Sequence, residues 1–176
     1  MSSLSTIPAE PGTLDHYAPL APLAIIVVSV VTLGAALVSQ YGFGLEPCEL
    51  CLLQRWPYVA TIVIGLLAAA VVRRGEGQAA LVLLAGLVFL AGAGIAFFHV
   101  GVEQHLWAGT AECTGPAGGD SVEALRKQLI GRPIVRCVQV AFRFLGVSMA
   151  GWNMLVSLAY AIASFAAGRA LRRRAA

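Results

Sequence analysis

Charge is what this sequence has least of. Only 12% of its 176 residues are Asp, Glu, Lys or Arg, while 59% are hydrophobic; a water-soluble domain carries about a quarter charged residues. Too few charges remain to coat a water-facing surface, which excludes an ordinary soluble globular domain. Amphipathic helices that would shield a buried helical core are missing, as are internal repeats and low-complexity tracts. Lys and Arg are absent from residues 1–21, so the basic start of a secretory signal is lacking and the first apolar run reads as a retained anchor behind a short tail. The net charge of +3 is carried largely by arginines that flank apolar runs, which argues against a nucleic-acid partner.

What the chain has instead is four apolar stretches, roughly Pro22–Tyr41, Leu50–Val72, Ala79–Phe98 and Phe144–Ala167. Each is near the ~20 residues needed to cross hydrocarbon as a helix. In lipid every backbone N–H and C=O must be satisfied within its own segment, so helices are expected. The predicted fold is an all-α integral membrane protein embedded in the lipid bilayer: a single four-transmembrane-helix bundle over 1–176. Residues 1–21 form its tail, and 99–143 form a long exported loop between the third and fourth helices.

Four spans place both termini on one side and the Gly42–Pro47 and His99–Arg143 loops on the other. All four cysteines therefore share a compartment. Positive charge alone does not orient the chain, because six Arg on the terminal side (73, 74, 169, 172, 173, 174) face Arg55, Arg126, Lys127, Arg132, Arg136 and Arg143 on the other. The first six are packed more tightly at helix ends, which puts the termini in the cytoplasm and the cysteines outside. An exported site also suits an even set of cysteines, since disulfides persist in oxidising compartments.

The chemistry concentrates in EPCELCLLQRWPY, residues 46–58. Pro47 is compatible with a helix start near Cys48. Cys48 and Cys51 would then lie in the first turn, where the positive end of the helix dipole favours thiolate. Arg55, four residues beyond Cys51, shares its helical face and offers donors to an oxygen ligand. Pro57 removes a helical hydrogen bond and predicts a kink just below Arg55. By itself a C-x-x-C leaves redox and metal readings open.

The second pair lies in the long loop. Cys113 precedes Gly115, Pro116, Gly118 and Gly119, which predicts an exposed, flexible setting. Cys137 stands near the return to the membrane, and nothing in the spacing prevents a bridge between the two. SVEALRKQLIG between them reads as a short amphipathic helix, lying on the membrane or on the protein. Two dithiols on one side of a membrane suggest a relay by thiol–disulfide exchange, ending on a lipid-soluble two-electron acceptor. His99, in AFFHVGVEQHLW, ends the third span on the same side, where an imidazole can hydrogen-bond a quinone oxygen or assist proton uptake. Glu103 and His105 are weaker candidates, and Trp107 reads as an interface anchor.

These residues resemble the disulfide-bond-formation protein B (DsbB) family of bacterial inner-membrane quinone reductases. The likeness covers most of the chain: four spans, PCELC leading into QR at the second, a histidine closing the third, and two separated cysteines in the long loop. It implies a thiol:quinone oxidoreductase of the inner membrane, its cysteine loops periplasmic. Cys113 would take a mixed disulfide with a DsbA-like thioredoxin-fold partner, with Cys137 as its bridge partner. Electrons would pass to Cys48 and Cys51, with Cys51 nearest the ring of a ubiquinone or menaquinone. Arg55 and His99 would bind that quinone. Two rival readings stand beside it. Four thiolates on one side could form a tetrahedral zinc site, although the second pair lacks C-x-x-C spacing. Alternatively, two static disulfides would stabilise a non-enzymatic membrane protein.

Overall fold

A computed structural model describes residues 17–70, 75–110, 113 and 135–175. Arg73, Arg74, the tail through residue 16 and the amphipathic helix expected over 121–131 lie outside the described residues. A 3-10 turn (Ala18–Leu20) leads into α1 (Ala21–Tyr41), followed by α2 (Glu49–Leu53), α3 (Trp56–Ala70) and α4 (Glu76–Glu103). Two short antiparallel strands, β1 (Arg143–Phe144) and β2 (Val147–Ser148), then precede α5 (Met149–Ala175). Four segments are long and apolar enough to cross a membrane: Ala18–Tyr41, Glu49–Ala70, Glu76–Glu103 and Met149–Ala175. This is the four-span, predominantly helical membrane architecture that the composition predicts, with one short hairpin added.

Leu23, Val27, Val30, Val63, Leu66, Leu87 and Ile162 are exposed along these helices, as side chains that face lipid tails should be. The buried faces are built from smaller residues, as is usual where helices meet without water to drive them together. α4 and α5 form the central pair, with Ala85, Ala93, Ala96 and Ala161 buried. At Gly168 an added Cβ would come within 2.6 Å of Leu83, and at Gly65 within 2.7 Å of Ile26. Phe89 fills the middle, its ring 6.1 Å from Tyr58 and 5.4 Å from Tyr160. A buried hydroxyl pair, Ser29 with Thr61 at 2.8 Å, ties α1 to α3.

The fourth span starts later than the apolar pattern suggests. Residues 143–148 form the hairpin instead, because Leu145 and Gly146 adopt positive φ (51° and 79°), a turn no helix accommodates. Ser148 then opens α5 by accepting the Gly151 N–H at 3.1 Å, as an N-cap serine does. α4 also continues one turn past His99, to Glu103, so the histidine is a helix residue and not the first of a loop. Trp107 folds back on that last turn, donating to the Phe98 carbonyl at 2.9 Å and stacking on its ring.

Candidate functional site

The second span is broken where its chemistry begins. Cys48 is the N-cap of α2, extended in backbone, and its sulfur accepts the Cys51 N–H at 3.4 Å. The helix stops at Leu53 and resumes at Trp56, leaving Gln54 and Arg55 in a turn. Pro57 explains the interruption, since it has no N–H to return to the preceding turn. Both side chains border the same cavity, Gln54 bonded to His99 behind it and Arg55 bonded to Gln40.

Cys48 and Cys51 are free thiols with sulfurs 2.9 Å apart. Cys113 and Cys137 are joined in a disulfide, Cα atoms 4.9 Å apart. All four lie in one apolar cluster with Leu50, Val102, Val135 and Val138. Both disulfide cysteines are fully buried, unlike the exposed setting that glycine-rich surroundings suggest for Cys113. Val102 and Leu50 cover the bridge, which favours burial of its apolar sulfurs. With two sulfurs bonded to each other, a four-thiolate tetrahedron cannot form in this state.

The Cys48 thiol is pushed down from 9.0 to about 4. Its hydrogen bond with Cys51 is the largest cause; the hydrogen bond with His99 acts in the same direction, and burial opposes them. Cys48 also receives the Cys51 backbone N–H, so the thiolate of the pair resides there.

His99 lies behind this sulfur. Its Nε2 is 3.6 Å from Cys48 Sγ and its Nδ1 is 2.8 Å from Gln54 Nε2. The ring is 2% exposed and does not line the cavity. Glu103, one turn on, has a carboxylate oxygen 3.9 Å from Nε2 and accepts the Ser148 hydroxyl at 2.5 Å. Cys48 Sγ, Cys51 Sγ and a ring nitrogen of His99 lie within 4.8 Å of one another, a donor set chemically able to ligate a thiophilic cation.

In front of the dithiol is an apolar cavity of about 770 Å³ between α1, the broken second span and α5. Cys51, Arg55, Leu33, Ala36, Phe142, Trp152 and Tyr160 are among its walls. Arg55 Nη1 donates to Gln40 Oε1 at 2.8 Å. Its Nε–H is buried and has no hydrogen-bond partner among the described residues. A second cavity of about 950 Å³ at the other end of the bundle, near Gln78 and Arg174, has no cysteine in its wall.

Sequence reasoning passed over Gln40, Gln54 and Asn153, three amides inside apolar spans. Their position in hydrocarbon is the signal that would have found them, because polar groups at that depth are retained for a partner or a function. Asn153 donates to Gln54 Oε1 at 2.6 Å and accepts the Tyr58 hydroxyl at 2.5 Å.

Comparison with known proteins identifies the family. The family described as "Disulfide bond formation protein DsbB" matches residues 19–167. A disulfide bond formation protein B of Methylococcus capsulatus is 35% identical over 135 residues, covering 72% of this chain and 79% of the relative. One from Marinobacter nauticus is 32% identical over 138 residues (73% and 79%), and an uncharacterized protein of Rickettsia prowazekii is 28% identical over 147 (82% and 83%). No solved structure matches. With four spans, four cysteines in one cluster and a family match over most of its length, this chain is a multi-pass membrane protein of the DsbB disulfide bond formation family.

Proposed function

We propose that the protein is a thiol:quinone oxidoreductase of the bacterial inner membrane, with its termini cytoplasmic and its cysteines facing the periplasm. In this reading it reoxidises a DsbA-like thioredoxin-fold dithiol protein and passes the electrons to ubiquinone or menaquinone. The observation that carries it is the position of the Cys48–Cys51 dithiol. On one side it shares an apolar cluster with the Cys113–Cys137 disulfide; on the other, Cys51 forms part of the wall of an apolar cavity.

The residues present fit a quinone. The cavity is apolar, and its wall includes Arg55, whose buried Nε–H has no hydrogen-bond partner among the described residues, the kind of group that a carbonyl oxygen satisfies. Arg55 would hold that oxygen, with Gln40 keeping the guanidinium in place. When bound, a quinone supplies a two-electron, two-proton acceptor.

The protein's own steps are exchanges between sulfurs. A partner thiolate attacks one sulfur of Cys113–Cys137, and the partner's second thiol resolves the mixed disulfide, leaving a partner disulfide and two thiols here. One of those thiolates attacks oxidised Cys48–Cys51, forming a bond between the loops; the remaining loop thiol displaces it and restores Cys113–Cys137. Two electrons then reside on Cys48 and Cys51 as one thiolate and one thiol, the second proton having gone to solvent; the structure holds this pair reduced and Cys113–Cys137 bridged. The pair is bridged again as both electrons and its one remaining proton leave it. Cys48, the low-pKa sulfur, is the better leaving group in the attack from the loop.

The test is quinone absorbance during turnover with a reduced thioredoxin-fold substrate, for the wild type and for C51A and C113A. Quinone loss that needs both cysteines supports the reading. Substrate oxidation without quinone loss, or turnover that survives both substitutions, overturns it.

A further inference from the structure

We propose that Gln54 and Asn153 are positioning residues that hold His99 as its Nε2–H tautomer, making the imidazole a fixed hydrogen-bond donor to the Cys48 sulfur. The proposal deepens the oxidoreductase reading for the same site and assigns work to two amides which that reading leaves idle.

The geometry is a single file of buried polar groups across three spans. Ser157 Oγ meets the Tyr58 hydroxyl at 2.7 Å, and Tyr58 donates to Asn153 Oδ1. Asn153 Nδ2 donates to Gln54 Oε1, and Gln54 Nε2 reaches His99 Nδ1 at 2.8 Å. The last link ends at Cys48, 3.6 Å from Nε2. Each amide has one donating and one accepting end, so the file has a polarity. With Tyr58 giving its proton to Asn153, Gln54 must present N–H to the ring. Nδ1 is then an acceptor, and the proton of a neutral imidazole goes to Nε2, facing sulfur. The cysteine end requires the same polarity, because a thiolate needs a donor opposite it. The reverse polarity would turn a lone pair of Nε2 onto Cys48.

Burial gives the arrangement its hold. Gln54, His99 and Ser157 are each nearly inaccessible, and in hydrocarbon an amide that turns the wrong way finds no water to replace the bond it loses. Among the described residues, Cys48 faces Cys51 from its own turn and His99 from α4, with Glu103 and the Cys137 backbone also near the ring. His99 thus serves Cys48, while Arg55 is the one cationic side chain among the described residues that lines the cavity beside Cys51.

The experiment is nitrogen NMR of the reduced protein labelled with 15N-histidine, in detergent or lipid with no quinone or substrate. The chain has three histidines, and H16Q and H105Q assign His99 by difference. The expected wild-type spectrum has a bare Nδ1 and a protonated Nε2. Gln54→Glu puts an acceptor where the donor was, and a proton should move onto Nδ1. Asn153→Leu removes the group that orients Gln54, and the Nδ1 signal should divide between bare and protonated states. A merely structural role for either residue would not move a proton from one ring nitrogen to the other. A protonated Nδ1 in the wild type overturns the proposal, as does a bare Nδ1 that neither substitution changes; if Gln54→Glu fails to fold, Asn153→Leu carries the same readout. Because no turnover is involved, a failed quinone assay would remove the oxidoreductase reading and leave the tautomer result standing.

Discussion

Replacing Arg55 with lysine is the sharpest test of how the cavity works. Lysine keeps the positive charge but loses the planar fork. In the structure that fork has two assignments: Nη1 is bonded to Gln40, and Nε–H is buried without a partner among the described residues. If Nε–H meets a quinone oxygen, the lost interaction is a hydrogen bond from a charged donor, worth about 1.5–3 kcal/mol. At ~1.4 kcal/mol per tenfold, that is a rise of roughly 10- to 100-fold in the KM for quinone. Exchange between the two cysteine pairs involves none of these atoms and should keep its rate. Two assays separate the steps: steady-state quinone absorbance for the KM, and a single turnover of the oxidised protein with a reduced dithiol substrate for the exchange. A change of less than about threefold in KM would refute the assignment of Nε to quinone binding, since one charged hydrogen bond is worth more than that. A loss in both assays would mean that Arg55 supports the fold and not the ligand.

Other outcomes follow from the same structure. The low pKa of Cys48 favours the reduced pair at every pH above about 4, increasingly so up to 9.0, and that advantage is lost as pH falls through 4. With one thiolate and one thiol, reduction takes up one proton instead of two, so the midpoint potential of Cys48–Cys51 should change by ~30 mV per pH unit between those limits, not ~59 mV; redox titration across pH 5 to 8 checks the slope. Gly101→Ala would place a Cβ 1.9 Å from the Trp107 ring and should destabilise the protein by about 1–3 kcal/mol. Gly94→Ala, which meets nothing within 4 Å, should be neutral in the same thermal melts. Tyr58→Phe deprives Asn153 of a donor and Ser157 of a partner; a loss of about 1–3 kcal/mol in unfolding experiments is expected for buried groups left unpaired.

The spans were legible because a run of ~20 apolar residues has only one stable conformation in hydrocarbon. The Cys48 helix start and the break at Pro57 were legible for a similar reason: both are local backbone chemistry. What could not be read was anything set by the rotation of one helix against another. Asn153 and Gln54 are 99 positions apart, and neither shows in its own neighbourhood that the other is its partner. The position of His99 at the end of the third span could be read, but the direction of its ring depends on where α4 meets the second span. Phe144 was misleading in a different way. It is apolar and next to a span, yet Leu145 and Gly146 turn the chain there, and the phenylalanine is exposed on a strand.

The cavity beside Cys51 opens among helices that present valine, leucine and phenylalanine to their surroundings. An oily compound that enters it from the bilayer is drawn from what is dissolved there, not from what is dissolved in the buffer. Lipid is a small fraction of any assay, so an oily molecule reaches a far higher concentration there than its nominal dose. Occupancy therefore depends on how much membrane is present, and diluting the vesicles at a fixed dose should make the same inhibitor look stronger. Potencies for this pocket are comparable only when expressed per mole of lipid.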